Sequence, residues 1–524
     1  MPPKPDRQLA EWIELWQLGE LDDAGRDALV ARLEADAESR KVFYEAVKFE
    51  ALLHTEFPDS VIHVPRVSRP WYRQASGALA LAASIALVAA VVHLVRKPGS
   101  EVIGSAGEIP GEAPFSSAMK IVDASPVARV NVAREIQLDA SSMTATPGSL
   151  LRPGRLHLLS GEMELTFFSG ARVTLKGPCI FQLKSDFRAT LIKGQLTADV
   201  PQQAIGFTVH TPTGQLRDLG TSFAVNVASN GVSDVHVLEG EVEASSVDGS
   251  KVVTLGVNEA SRLTGGTLEP IDFTPSGWPS KPTIEWDDEL PDGVHWSLDE
   301  FEGDKTSDSH GVHPLYLRGE SRESTDWTSR ACRGVSGSGL NFSGDGEYAE
   351  STYRGVSGSR PRTVSLWVSI PPDASAEYPN GILSWGAYTQ AKKWQVCWNN
   401  GNQGTVGALR VEFGNGHLIG TTDLRDGRFH HIAVVFLGGE HSDVASHVKL
   451  YVDGRLETLS GRLSQFIRTD TQSNQAVAVT LGRWLGRWPG KGPFSFRGAI
   501  DEVYIFDKAL HPAQVAKLAQ WNRE

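Results

Sequence analysis

The chain has 524 residues, 40% of them hydrophobic and 22% charged, with 50 Lys and Arg against 63 Asp and Glu. That length exceeds what a single hydrophobic core holds and implies about three folded units, and the apolar content argues against wholesale disorder. A formal net charge of −13 with no concentrated Lys/Arg stripe offers no field for a phosphate backbone, which argues against direct nucleic-acid binding.

Residues 1–65 carry apolar side chains at three- and four-residue intervals: Leu9, Trp12, Ile13 and Trp16, then Leu29, Val30 and Leu33, then Val42, Phe43, Ala46 and Val47. This spacing predicts short amphipathic helices, with Asp22 and Ser39 placed to cap the second and third. Such a head is either complete in itself or offers an apolar face, with Trp12 and Trp16, to a partner. From Ser76 to Val95 the sequence SGALALAASIALVAAVVHLV has no formal charge and the length of a helix crossing a bilayer. Trp71 and Tyr72 on one side and Arg96 and Lys97 on the other stand where interfacial anchors stand. The basic residues Lys48, Arg66, Arg69 and Arg73 favour a cytoplasmic N-terminus.

Residues 96–119, rich in Gly, Pro, Ser and Ala, read as a linker. From 120 to 265 the period changes to two. Runs such as Ala171-Arg172-Val173-Thr174-Leu175 and Asp234-Val235-His236-Val237-Leu238 predict an all-β domain, with Gly194, Gly220 and Gly240 at turns or close approaches. Asp218, ahead of Leu219-Gly220-Thr221, reads as a turn former. The runs Leu191 to Leu196, Val209 to Val227 and Val235 to Val242 resemble the FecR domain of membrane regulators that control extracytoplasmic-function sigma factors. The resemblance implies a single-pass protein of the bacterial inner membrane, with its head binding a sigma factor in the cytoplasm and its β domains in the periplasm. No His/Cys cluster precedes residue 76, so a zinc-binding head is not expected.

After a second linker, 266–290, the segment 291–524 returns to alternating strands, with Asp453-Gly454 as a hairpin signal. Eleven of the 14 tryptophans lie beyond residue 270, which marks this as a separate domain. The elements GLNFSGDGEYAE (339–350), TVSLWV (363–368), DGRFHHIAVVF (426–436), VKLYVDGRL (448–456) and FRGAIDEVYIFDKALHPAQVAKL (496–518) resemble the laminin G-like, concanavalin A-like jelly roll. The resemblance implies an extracytoplasmic module that binds a glycan or an envelope protein, and a structural Ca²⁺ held by Asp345 and Asp501. Each of those two acids reads equally well as a turn or surface residue. Trp484 and Trp488, in a loop with Gly, Arg and Pro, are candidate stacking platforms for a sugar.

The cysteines Cys179, Cys332 and Cys397 form no CxxC pair; Cys332 and Cys397 are open to pairing or to remaining free. No nucleophile elbow, HExxH helix, phosphate-binding loop or dinucleotide fingerprint occurs, and the acidic run Glu285 to Glu289 falls in the linker, so no catalytic residue is expected. The expected fold is mainly β and multidomain: a small α-helical head, one transmembrane helix, an all-β FecR domain and a C-terminal β-sandwich. The expected function is a membrane regulator of anti-sigma type. The alternative is an envelope-anchored carbohydrate-binding or adhesion protein with no sigma factor involved.

Overall fold

Alternating apolar side chains need a surface on one side of each strand, and in residues 125–270 they find it by closing on one another. The computed structural model describes residues 125–520 except 275, 282–288, 320–326, 378–379, 390, 402, 415 and 487–494, together with Ala28 and Arg32. The first domain is a 13-stranded sheet built on three long antiparallel strands, Gly154–Phe167, Arg172–Ser185 and Arg188–Asp199. After a 3-10 turn at Gln202–Ala204 the chain returns and pairs Thr208–Thr211 parallel to Arg188–Asp199. Phe167, Phe181, Phe207 and Phe223 fill the centre, with Phe167 and Phe207 meeting edge to face at 4.8 Å. Gly194 has φ +100°, and a β-carbon there would lie 2.5 Å from the Pro178 carbonyl oxygen, so only glycine allows this crossing.

Part of the expected second linker belongs to this domain. Thr267–Pro270 is a strand. Beyond it, Trp278 packs against His236 at 4.6 Å, Thr197 Oγ1 donates to the Pro279 carbonyl (2.8 Å), and Lys281 pairs with Glu239 (2.8 Å).

The second domain is a sandwich of an eight-stranded and a nine-stranded antiparallel sheet. Trp296, Trp385, Trp394 and Trp398 are fully buried between them. The Arg362 guanidinium lies 4.9 Å from the Trp394 ring and donates to the carbonyls of Val356, Gly358 and Arg360, so its charge is hydrogen-bonded rather than stranded.

The eight-stranded sheet is apolar on its outer face too. In Phe429–Phe436, Ile432, Val434 and Phe436 point into the sandwich, while Ala433 and Val435 join Tyr451, Phe506, Leu510, Val515 and Leu518 in a separate cluster outside it. Val515 and Leu518 come from the helix Pro512–Gln520. The remaining members are Leu437, just past the strand's end, and Phe168 of the first domain. The strand Gly154–Phe167 ends with Phe167 in the core of its own domain, and Phe168, the first residue of the turn that follows, carries its ring into the other cluster. Polar contacts ring this plug. Tyr451 Oη donates to the Phe168 carbonyl (3.0 Å), Lys449 Nζ lies 4.8 Å from the Phe168 ring and 2.8 Å from Asp186, and Ser125 Oγ donates to the Ser446 carbonyl (2.8 Å).

The expected fold class needs correction. The described architecture is almost wholly β, and its helices beyond residue 125 are Val444–His447 and Pro512–Gln520. A nine-residue helix is about 14 Å long, against a hydrocarbon core of about 30 Å, and among the described residues no helix is long and apolar enough to cross a membrane. The expected α-helical head, Trp12 and Trp16 included, and the expected transmembrane helix at 76–95 lie outside the described residues apart from Ala28 and Arg32.

Replacing Phe168 removes the largest apolar group crossing between the domains. Phe168→Ala is expected to cost about 3 kcal/mol in chemical denaturation of the whole chain, the range for emptying a buried phenylalanine site; a loss under about 1 kcal/mol would show that the plug does not hold the domains.

Candidate ligand-binding face

The FecR-like first domain covers the eight-stranded sheet, so the outer face of the nine-stranded sheet is the sandwich's other broad surface. Strand alternation decides what stands on it. In Lys393–Trp398, Trp394, Val396 and Trp398 point into the core, which leaves Lys393, Gln395 and Cys397 outside; in Ala408–Glu412, Leu409 and Val411 point in and Arg410 and Glu412 out. The register sets Gln395 opposite Glu412 and Cys397 opposite Arg410.

Glu412 is the hub of this face. Its Oε1 lies 2.6 Å from Lys393 Nζ and accepts hydrogen bonds from Gln395 Nε2 (3.0 Å) and Trp484 Nε1 (3.0 Å), while Oε2 lies 3.3 Å from Arg410. Burial alone would raise the Glu412 pKa, but the Lys393 and Arg410 charges and the hydrogen bonds from Lys393 and Trp484 outweigh it and hold the group below its ordinary value. The loop after Ala476–Leu481 closes the network: Leu485 N–H donates to Gln395 Oε1 (2.8 Å), and Lys393 Nζ donates to the Leu485 carbonyl (3.0 Å). Arg410 Nη1 reaches Asn399 Oδ1 at 3.1 Å. Lys393 and Arg410 share the single Glu412 carboxylate, and the surrounding hydrogen bonds hold all three groups in place.

Two aromatic rings flank the network. Trp484 is half-buried, 4.8 Å from Lys393 Nζ, and folds so closely over Gly486 that a β-carbon there would lie 1.7 Å from the indole. Tyr388, 5.8 Å from the same ammonium, is 42% exposed. The sequence singled out Trp484 but not Tyr388 or the Lys393–Glu412 hub, whose members look like ordinary strand residues until pairing brings them together. Trp488 lies outside the described residues.

The expected calcium pair is not brought together. Asp501 sits on Arg497–Phe506 beside the start of Ser338–Ser343, whereas the exposed Asp345 lies beyond that strand's end. At about 3.3 Å per residue this puts them more than about 13 Å apart. Asp501 is fully buried, and its Oδ2 accepts from the N–H groups of Val335 (2.7 Å) and Ser336 (3.3 Å), with burial raising its pKa to about 7. Asp501 therefore has a backbone-binding role, and the two acids do not fit a shared Ca²⁺. Among the described residues no group of three or more His, Cys, Asp or Glu side chains is arranged to hold a metal ion. The three cysteines are free, and burial pushes the Cys397 and Cys179 thiols up to about 12.

In the first domain Asp218 builds the turn expected of it. Its Oδ2 accepts from Gly220 N–H (2.8 Å) and its Oδ1 from Thr221 Oγ1, with Gly220 at φ +105°. Residues 160–243, which include this turn, match the family model described as FecR protein, and residues 343–516 match that of the concanavalin A-like lectin/glucanases superfamily. The chain carries a FecR domain and a concanavalin A-like domain. No curated protein matches it. Among solved structures, the chain is similar to a protein assigned as an anti-sigma factor from Parabacteroides distasonis (20% identity, TM-score 0.20, 22% of this chain and 57% of that one). It is also similar to the CBM40 module of Ruminococcus gnavus IT-sialidase (15%, TM-score 0.25, 34% and 96%) and to the binding domain of botulinum neurotoxin serotype D (15%, TM-score 0.26, 41% and 48%). The chain thus spans 57% of the length of the first of these relatives.

The hub and the FecR turn each generate a measurement. Glu412→Gln strands the Lys393 and Arg410 charges and is expected to cost about 3–5 kcal/mol, against about 1 kcal/mol for Trp484→Phe, which removes one hydrogen bond; equal losses in denaturant titrations would deny Glu412 its central place. Burial raises the Asp218 pKa to about 7, above its unfolded value of about 3.8, so the folded state favours the protonated acid. That contribution is complete below about pH 4 and lost as pH rises through about 7. The melting-temperature advantage of the wild type over Asp218→Asn should therefore shrink from pH 4 to pH 8, and an advantage that grows with pH would reverse the assignment.

Proposed function

We propose that this chain is a FecR-type regulator in which residues 1–65, through Trp12 and Trp16, hold an extracytoplasmic-function sigma factor, while the two β domains sense a ligand on the extracytoplasmic side. The observation that carries the reading is the FecR match at 160–243 followed by a concanavalin A-like match at 343–516. Two features support the sensing role. The FecR domain packs on one broad face of the sandwich and leaves the other, where the exposed Tyr388 ring stands beside the buried Lys393–Glu412 network, available to a ligand. That face's exposed Tyr388 ring and half-buried Trp484 ring, held on a rigid polar base, suit the apolar face of a sugar. The reading assigns the sandwich a binding role and gives the FecR domain the task of passing occupancy on.

Two experiments separate this from an adhesion protein without a sigma factor. The whole chain used as bait is expected to recover a sigma factor, and Trp12→Ala with Trp16→Ala to reduce recovery at least about tenfold, as for aromatic anchors of an interface; recovery of none by the wild type would leave only the adhesion reading. On a glycan array the whole chain is expected to bind, and Tyr388→Ala to weaken binding about tenfold with the melting temperature unchanged, since this exposed ring takes no part in the hub's hydrogen bonds. Wild-type binding untouched by Tyr388→Ala would remove the ligand from this face.

A further inference from the structure

Among the described residues, one edge of the FecR sheet is built in a way that edges of stable monomers usually avoid. Its strand path runs from Val252–Leu255 at one end to Leu150–Leu151 at the other. The second end is covered, because Leu150 packs against the sandwich. A side branch ends at Thr267–Pro270, which carries Glu269 and Pro270, both poor templates for pairing. Val252–Leu255 has no such protection. Among the described residues it pairs only with Val242–Ser246, in unbroken register, and it contains no charge, proline or bulge. Among the described residues, four of the twelve exposed large hydrophobic side chains crowd this hairpin: Val247 (65%), Val252 (55%), Val253 (40%) and Val257 (51%).

The backbone fixes which groups face outward. Ser246 N–H donates to the Lys251 carbonyl (3.0 Å), which makes this a hydrogen-bonded pair of the antiparallel ladder. Bonded and non-bonded pairs alternate, so Val253 and Leu255 bond inward to Ala244 and Val242, and the N–H and C=O groups of Val252 and Thr254 point away from the sheet. Two outward residues separated by one inward residue are self-complementary. When a second copy approaches about a two-fold axis through Val253, Val252 of each chain meets Thr254 of the other and four hydrogen bonds form. Val253 faces its own counterpart as a non-bonded pair, at a Cα separation of about 4.5 Å.

Charge agrees with this register. Lys251 and Glu259 are both exposed. The Glu259 carboxylate is already held at the end of the edge by Gly256 N–H (2.8 Å). Antiparallel pairing about Val253 lays Lys251 of each copy alongside the Gly256–Glu259 turn of the other, giving two symmetric ion pairs. Exposed pairs of this kind contribute little affinity but penalise a slipped register.

We infer that Val252–Leu255 is a self-association edge, through which two copies of this chain join their FecR sheets into one continuous antiparallel sheet. The occupant is a second copy because the edge matches itself in hydrogen bonding, in apolar side chains and in charge.

Sedimentation equilibrium of the full chain, from micromolar to sub-millimolar concentration, tests this. The mass is expected to rise from 56.8 kDa towards twice that value. Thr254→Pro, which removes an outward donor and no bond of the internal ladder, should hold the protein monomeric with its circular dichroism unchanged. Lys251→Glu should weaken association, and Lys251→Glu combined with Glu259→Lys should restore it. Val253→Cys should form a disulfide-linked dimer on mild oxidation, where the wild type, with its own three cysteines, does not. A chain that stays monomeric throughout overturns the proposal and leaves the edge to a strand of another protein. A dimer that survives Thr254→Pro, or Val253→Cys that fails to cross-link within a dimer, places the contact elsewhere and overturns it equally.

Discussion

Phe168 joins two hydrophobic cores that would otherwise be closed to each other. The outer face of the eight-stranded sheet is apolar across Ala433, Val435, Tyr451 and Phe506, an area that cannot be left to water without loss. The C-terminal helix covers part of it through Val515 and Leu518, and the FecR domain covers the rest through Phe168. Because the Lys449 ammonium is 6% exposed, it needs a partner wherever the domains sit, and it finds Asp186 of the FecR domain at 2.8 Å. The ion pair gains little over an apolar contact of the same size, but one arrangement satisfies it and others leave a buried charge unpaired. Apolar burial thus holds the domains together, and the Lys449–Asp186 pair sets their alignment.

That docking determines what the rest of the molecule has free. With one broad face of the sandwich occupied, the other is the one over Glu412, where opposed charges on neighbouring strands are locked by the Trp484–Leu485 loop. With the Leu150 end of the FecR sheet covered, the free end is the valine-rich hairpin at Val252–Leu255. The proposed ligand face and the proposed association edge lie on one body, which would give occupancy and assembly a shared frame. Neither domain moves without disturbing the other's contacts at Phe168 and Lys449.

The domain order and the β character were legible in sequence because they depend on local periodicity and on turn glycines such as Gly194 and Gly220. A trace of the interface was also present: IAVVF at 432–436 is apolar without alternation, which is how a strand buried on both faces reads. What covered its second face was not legible, because Phe168 lies more than 260 positions away. The Glu412 hub was hidden for the same reason: Lys393, Gln395 and Glu412 acquire meaning only in the register that sets Gln395 opposite Glu412. The acidic pair chosen from the jelly-roll resemblance separated because Asp501 turns to the N–H groups of Val335 and Ser336, which satisfy a buried carboxylate without a metal. The helical head and the span fell on residues outside the described architecture.

With Phe168 and the Lys449–Asp186 pair joining them, the FecR domain and the sandwich are expected to fold and open as one body. Native-state hydrogen exchange across a denaturant series measures this directly, by comparing amides of Arg188–Asp199 in the FecR core with those of Phe429–Phe436 in the sandwich. If the shared face holds the two together, both sets converge on one opening free energy with one denaturant dependence. Two separate values, with the FecR strands exchanging while the sandwich strands stay protected, would contradict it.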